Sequence, residues 1–277
     1  DTSLILAWRF TLLGENSYSQ IREFSLNNAQ LTPLDVNLLA DNPNEIIVNT
    51  IALMGDELIV GGNFESLGGE KRRNLFEFDL LTNKATDWTP NPNGPVRIVK
   101  VDDERIYVGG SFEQISNQNL TNLAVYDSQK QLIPAFSFPF TASSLTSRVS
   151  DFAFKDSSFF IGGVFDQLGG IGNQNLMEVK KSDGSILPFN PGVEDIVRKI
   201  DLLDTVLFVQ GRIIRFNPNG LPIGATAGCN SNFAYVHADS ANLIDCYYSD
   251  KLGHLNLVKN AEHNEGKFWM GGILNPQ

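Results

Sequence analysis

The sequence predicts an all-β chain built from repeated, four-stranded antiparallel units. Three observations predict it. A pattern of Val, Gly-Gly-x-Phe, Asn-Leu and a late aromatic recurs three times with constant internal spacing. The apolar runs inside the pattern are short, β-branched and aromatic, and bounded by Gly, Pro, Asn and Asp. No apolar stretch with a 3.6-residue period reaches helix length.

The three copies align residue by residue. Gly61-Gly62-Asn63-Phe64 matches Gly109-Gly110-Ser111-Phe112 and Gly162-Gly163-Val164-Phe165. Ten residues after each Phe stands Asn74-Leu75, Asn122-Leu123 or Asn175-Leu176. Three residues after each Leu stands Phe78, Tyr126 or Val179, and ten further on Trp88, Phe136 or Phe189. Val48, Val96 and Val149 each precede the first Gly by thirteen residues and open an alternating apolar run. A degenerate copy opens the chain, with Phe10, Ile21, Phe24 and Leu34 in the places of Phe64, Leu75, Phe78 and Trp88. A shortened copy follows the third: Val197, Ile200 and Leu202 lead to Gly211 and then straight to Ile213 and Phe216. Fainter traces run from Phe233 to Tyr248 and over Phe268-Trp269-Met270-Gly271-Gly272.

Equivalent Phe residues lie 54, 48 and 53 positions apart, from Phe10 through Phe64 and Phe112 to Phe165. A period near fifty with four short strands per unit is the signature of propeller blades. One blade cannot bury both its faces, so several must stack. The chain of 277 residues therefore reads as a single β-propeller of six blades, with seven as the alternative. The blades fall at about 1–37, 47–92, 96–139, 148–191, 196–227 and 232–277. Gly-Gly is expected to mark a bulge or a close approach of neighbouring blades. The late aromatics are expected to fill the wedge between blades. Asp79 with Thr82-Asn83 and Asp127 with Ser128-Gln129-Lys130 read as hairpin turns.

These motifs resemble Kelch-type propeller repeats, where an apolar run leads into Gly-Gly and an aromatic pair follows. They are closer to a bacterial Kelch-like repeat of the form Val-Gly-Gly-x-Phe, Asn-Leu, Asp and Trp-x-Pro. Trp88-Thr89-Pro90, Phe189-Asn190-Pro191 and the Asn93-Gly94-Pro95-Val96 junction carry that likeness, over roughly residues 4–220. The two late aromatics stand ten residues apart, wider than in Kelch repeats. Fungal cortical polarity markers carry similar Gly-Gly-x-Phe propellers. The resemblance implies a fold and leaves the activity open, because propellers host many unrelated functions.

Net charge is −11, which disfavours nucleic acid and anionic membrane surfaces as partners. There is no long apolar segment, so no membrane insertion is expected. The sequence starts at Asp1 just ahead of what reads as a second strand, Leu4 to Phe10. The missing first strand is expected either from the C-terminal end or from sequence removed upstream, and an extracytoplasmic location is expected with it. Cys229 and Cys246 would sit roughly 20 Å apart in an ideal blade, beyond disulfide reach. Two buried thiols are expected there, with a bridge left open by the irregular register.

No motif assigns chemistry. Gly-Gly ends strands and opens no helix, so no phosphate site is expected. His237, His254 and His263 lack metal-ligand spacing. Asp102-Asp103-Glu104 and Asp201 with Asp204 read as turn residues. Neither a catalytic residue, a metal nor a cofactor is expected. What differs between copies is the loop between the second and third strands: Glu65–Arg73, Glu113–Thr121 and Asp166–Gln174. A rigid frame that displays variable loops is a usual way to build a binding surface. The candidate binding residues are Arg72, Arg73, Asn117, Asn119 and Asn173, the arginines for charge-assisted contacts and the asparagines for adaptable hydrogen bonds. The expected function is a non-enzymatic binding or scaffold module at the cell surface or envelope, with a protein or glycan partner. The alternatives are a permanent structural subunit of a larger assembly and a polysaccharide-acting enzyme with acids gathered from several blades.

Overall fold

The computed structural model describes residues 3–11, 17–34, 38–39, 46–67, 70–142, 146–166, 175–193, 196–215, 230–246, 255–264 and 267–274. Two compact units divide the chain, Asp1–Ser137 and Phe138–Gln277.

In the first unit, β1 (Ser3–Thr11), β2 (Ser17–Ser25) and β3 (Leu31–Pro33) form one antiparallel sheet in that order. After the short β4 (Leu38–Leu39) come β5 (Ile47–Met54) and β6 (Glu57–Asn63). Two short strands follow, β7 (Ser66–Leu67) and β8 (Glu70–Lys71), then β9 (Leu75–Asp79) and β10 (Lys84–Ala85). The second sheet runs β10-β9-β6-β5, while β4-β7-β8 makes a small sheet of its own. The third sheet is β11 (Val96–Asp102), β12 (Arg105–Gly110) and β13 (Leu123–Tyr126). Its fourth strand shrinks to a single bridge between Tyr126 and Leu132, ahead of a 3-10 turn over Pro134–Phe136.

In the second unit, β14 (Arg148–Phe154), β15 (Ser158–Val164) and β16 (Leu176–Lys180) pair in sequence order, with a bridge from Val179 to Ile186. The next sheet is β17 (Val197–Leu203), β18 (Val206–Arg215), β19 (Asn230–His237) and β20 (Leu243–Cys246). The last is the hairpin of β21 (Leu255–Asn264) and β22 (Lys267–Leu274).

Pairing departs from the expected register after Gly211. The sequence reading puts a third strand at Ile213–Phe216 and opens a new unit at Phe233. Instead β18 runs unbroken to Arg215, and β19 pairs back onto it, with Leu207 opposite Val236 and Arg215 opposite Asn230. Phe233–His237 is thus the third strand of the unit that Val197 opens, and β20 is its fourth. Cys246 pairs with Ala234 along β20. Cys229, like Phe216 and His254, lies outside the described residues.

The glycine pair explains how the sheets are made. Among the described residues five first strands carry the same bulge, with one extra residue opposite the second strand's glycine pair or its equivalent: Asn49, Arg97, Ser150, Arg198 and Lys259. At the bulge the first strand's backbone comes so close that a Cβ on Gly62 would lie 2.0 Å from the Ile47 carbonyl oxygen. The same atom on Gly163 would lie 2.1 Å from that of Arg148. The first glycine serves the neighbouring sheet. A Cβ on Gly61 would meet Val96 Cγ1 at 2.6 Å, and one on Gly162 would meet Val197 Cγ1 at 2.6 Å. The motif's Val therefore seats on the preceding sheet's Gly.

Both faces of the second strands are covered, which is why they read as unbroken apolar runs. Leu58 and Val60 pack with Ile21, Phe64, Phe76 and Phe78, while Ile59 packs with Val96, Val99 and Ile106. In the second unit Phe160 and Phe189 pack with Val197, Ile200 and Val236. Each such side chain contributes roughly 2–3 kcal/mol on full burial. Trp88 reaches into the third sheet, its ring 5.1 Å from that of Tyr126 and edge-on to it.

Candidate functional site

The repeat's Asn is the residue that fixes the loop end of each sheet. Asn74, Asn122 and Asn175 hold φ of 59°, 64° and 61°, a left-handed conformation that Asn tolerates better than most residues. The buried Phe64 N–H donates to Asn74 Oδ1 (3.0 Å), and Asn74 Nδ2 donates to the Pro92 carbonyl (3.1 Å). In the second unit the Phe165 N–H donates to Asn175 Oδ1 (3.0 Å) and Asn175 Nδ2 donates to the Val193 carbonyl (3.2 Å). Asn74 and Asn175 thus each tie a Gly-Gly-x-Phe turn to the connection that leads into the next sheet.

In the first unit this tie is extended into a surface. Residues 89–95 link β10 to β11 and are gripped from both sides. On one side the Arg73 N–H donates to Asn91 Oδ1 (2.8 Å). On the other, Asn93 Oδ1 accepts from the N–H groups of Glu113 (2.8 Å) and Gln114 (2.9 Å), and the Asn93 N–H donates to the Gln114 carbonyl (3.0 Å). The Ser116 N–H donates to the Pro90 carbonyl (2.6 Å). Residues 64–67, 70–74, 89–95 and 111–122 are therefore one hydrogen-bonded platform at the ends of β6, β9, β12 and β13.

The candidate residues fall differently on it. Arg72 is turned inward and only 7% exposed. Its Nη1 donates to the carbonyls of Thr86 (2.6 Å) and Trp88 (3.4 Å), and its Nη2 lies 3.3 Å from Glu70 Oε2. It is a strut under the loop and not a free cation. Arg73 and Lys71 on either side are exposed. Asn117 is exposed with φ of 58°, in the turn closed by the Ile115–Gln118 bridge. Asn119 is exposed and accepts from Gln114 Nε2 (2.9 Å). The structure brings Arg73, Asn117 and Asn119 onto one platform. Asn173 lies outside the described residues. Sequence reading missed Asn91 and Asn93; their signal is the Pro-Asn-Pro-Asn-Gly-Pro run, which reads only as a turn.

The opposite strand ends carry ion clusters. Lys130 Nζ sits 2.7 Å from Glu57 Oε2 and 2.7 Å from Glu77 Oε1, joining the third sheet to the second. Glu77 Oε2 also accepts from the Thr86 hydroxyl (3.0 Å). Burial pushes the Glu77 carboxyl up, against the pull of Lys130. Burial works against the Lys130 charge too, but Glu57 and Glu77 together raise its pKa. In the second unit Lys155 meets Asp239 (2.8 Å) and Glu178 (3.2 Å), and the Ser158 hydroxyl donates to Glu178 (2.5 Å). The carboxyl of Glu77, only 2% exposed, is thus held in an ion pair that clamps the third sheet to the second. Asp102, Asp103 and Glu104 lie in the β11–β12 hairpin, where Asp103 and Glu104 take φ of 48° and 57°. His237 ends β19 exposed while Val236 beside it is buried. Among the described residues no group of three or more His, Cys, Asp or Glu is placed to hold a metal, and no helix is long and apolar enough to cross a membrane.

No protein-family model and no curated protein sequence matches the chain. Solved structures do. The computationally designed Ika8 protein matches with a TM-score of 0.51 at 10% identity, over 92% of this chain and 77% of its own. YCF48, solved bound to a D1 peptide, matches with a TM-score of 0.50 at 10% identity, over 98% of this chain and 79% of its own. Both are β-propellers, and the likeness shows a propeller fold for this chain.

Proposed function

We propose that the chain is a non-enzymatic binding and scaffold module, a single six-bladed propeller that engages a protein partner through the platform of residues 64–67, 70–74, 89–95 and 111–122. The observation that carries this is the double grip on residues 89–95, which turns three loops into one rigid surface and leaves Lys71, Arg73, Asn117 and Gln118 exposed on it. Preorganisation of this kind lowers the entropy cost of binding. A protein is preferred over a glycan because the large apolar side chains exposed among the described residues are aliphatic, whereas sugar rings stack on aromatic faces. Among the described residues six sheets follow the repeat, which supports six blades, and the repeat keeps its resemblance to the bacterial Kelch-like family. YCF48, alike in fold, is the structure solved with a peptide bound. An extracytoplasmic, cell-surface or envelope location goes with this reading, and protease accessibility on intact source cells tests it.

A second reading, permanent membership of an assembly, is favoured by Leu26, Leu53 and Leu81, which are 53%, 51% and 78% exposed at the hairpin ends of the first and second sheets. One experiment separates the two. A photo-reactive side chain is placed at Asn117 or at Leu81, and the native complex is cross-linked in its source cells. A fixed protein companion captured from position 117 supports the platform. Capture from position 81 alone replaces it with the assembly reading. A lone particle with no adduct from either site overturns both.

A further inference from the structure

We propose that Asn93-Gly94 is a covalent modification site: Asn93 rearranges to aspartate or isoaspartate when the platform opens, and an isoaspartate at position 93 prevents it from closing again. This concerns the platform's own chemistry and stands whether or not a partner binds there. Three observations carry it. First, the frame demands this pair. A Cβ on residue 94 would lie 2.2 Å from the Ser111 carbonyl oxygen, so only glycine seats there. Asn93 is fixed through Oδ1, which accepts from the N–H groups of Glu113 (2.8 Å) and Gln114 (2.9 Å).

Second, the pair is chemically labile. With no side chain on residue 94, nothing bulky shields the Gly94 nitrogen from the Asn93 side-chain carbon. Among the described residues nothing accepts the Gly94 N–H, and Asn93 is exposed to water. In the reaction the Gly94 nitrogen attacks Asn93 Cγ. The N–Cγ bond forms, the Cγ–Nδ2 bond breaks, and Nδ2 leaves as ammonia with the Gly94 amide proton. Water then opens the cyclic imide. Addition at the side-chain carbonyl leaves an aspartate. Addition at the main-chain carbonyl leaves an isoaspartate, whose main chain runs through Cβ.

Third, the closed platform locks the two rotations that ring closure requires. Rotation about Cα–Cβ is held by the bonds on Oδ1. Rotation about Cα–C is held at both ends, since the Asn93 N–H donates to the Gln114 carbonyl (3.0 Å) and the Ser111 N–H to the Pro95 carbonyl (2.9 Å). The rate therefore follows the small fraction of chains in which the grip is open. The two products then part. An aspartate still offers a carboxylate oxygen to the Glu113 and Gln114 N–H groups. In an isoaspartate the Oδ1 carbonyl has become main chain, so the same bonds cannot re-form together.

The test maps peptides of the intact chain held at mildly alkaline pH, folded and in urea. Conversion is read from the mass gain of amide to acid, and isoaspartate from its methylation by an isoaspartyl methyltransferase. Asn219-Gly220, the chain's other Asn-Gly pair, is the internal clock in urea. Conversion at Asn93 is expected to be at least roughly tenfold slower in the folded chain than in urea. Glu113→Pro removes one donor to Oδ1 and leaves the 93–94 pair intact. It should speed folded-state conversion several-fold and leave the urea rate unchanged. Asn175→Ala, which acts in the second unit, should leave the folded-state rate as in wild type. Where Glu113→Pro does not fold, hydrogen exchange of the wild-type Gln114 amide replaces it, and its protection should match that of Asn93 within roughly tenfold. Equal or faster conversion in the folded chain, an unchanged rate in a folded Glu113→Pro variant, or a freely exchanging Gln114 amide beside a protected Asn93 would each overturn the inference. Chains fractionated for isoaspartate should be cut by protease within 89–95 where unconverted chains are not, and equal resistance overturns the failure to close. A companion captured from position 117 is untouched by all of these results, so the partner reading and this one fail separately.

Discussion

Replacing Asn74 with Ala removes the atom pair that closes the first unit's platform. The side chain is 6% exposed, so water cannot readily take over its bonds. The Phe64 N–H would lose Oδ1 and remain buried, which costs about 1–3 kcal/mol. The Pro92 carbonyl would lose its donor, for about 1 kcal/mol more. Ala at φ of 59° also adds about 1 kcal/mol of backbone strain. The expected total is about 3–5 kcal/mol, read as a lower urea midpoint by tryptophan fluorescence. Asn74→Gly loses the same bonds but not the left-handed conformation, so it should be milder than Asn74→Ala by about 1 kcal/mol. Asn175→Ala should behave alike in the second unit, since it breaks the matching bonds to Phe165 and Val193. An Asn74→Ala variant within about 0.5 kcal/mol of wild type, or a Gly variant no better than Ala, would refute the staple as argued.

Three further outcomes follow from the same geometry. Gly61→Ala should cost about 1–3 kcal/mol because its Cβ would press on Val96 Cγ1, and adding Val96→Ala should cost less than the two changes summed, a coupling that a double-mutant cycle measures. Lys130→Met should cost about 2 kcal/mol near neutral pH by stranding Glu77, somewhat below the full penalty because Lys130 is partly exposed. Because burial raises the Glu77 carboxyl, its folded state binds the proton more tightly than the unfolded chain. The Lys130→Met deficit should therefore grow as pH rises through the folded pKa and shrink as pH falls below it, which urea midpoints at several pH values would show. Asp183 is held at about 2 by the Ser185 hydroxyl and amide, so its contribution is complete above the ordinary aspartate value of 3.8 and is lost as pH falls toward 2. Asp183→Asn should flatten acid unfolding over that window.

The fold was legible because its markers are residues with one physical job each. Val48, Gly61, Gly62, Phe64 and Asn74 keep fixed spacing since each closes a contact with a neighbouring strand or sheet. Where a marker changes, the reading fails. Gln210 stands in the first Gly's place, and Asn232-Phe233 stands where Asn74-Leu75 would be, with Val236 three residues on. That signal was available, but the span between Arg215 and Asn230 hid it, and the nearer Ile213 looked like the missing strand. Arg72 shows a different limit. Nothing in Lys71-Arg72-Arg73 tells which cation is buried until the register of β8 is known.

The same logic explains why the repeat finds the frame and not the partner. Every residue that recurs is consumed internally: the glycines by close approach, Asn74 by two buried bonds, Phe64 by burial. A side chain that must satisfy the frame cannot also be free for a ligand. Specificity must then lie where the copies disagree, at positions the frame holds still but does not occupy. Arg73 is such a position: its backbone is bound to Asn91 and its side chain is exposed. Its neighbour Arg72, one residue away, is spent on the frame. A substitution that keeps the first and changes the second should loosen the loop without changing what it recognises. The reverse substitution should change recognition without loosening the loop.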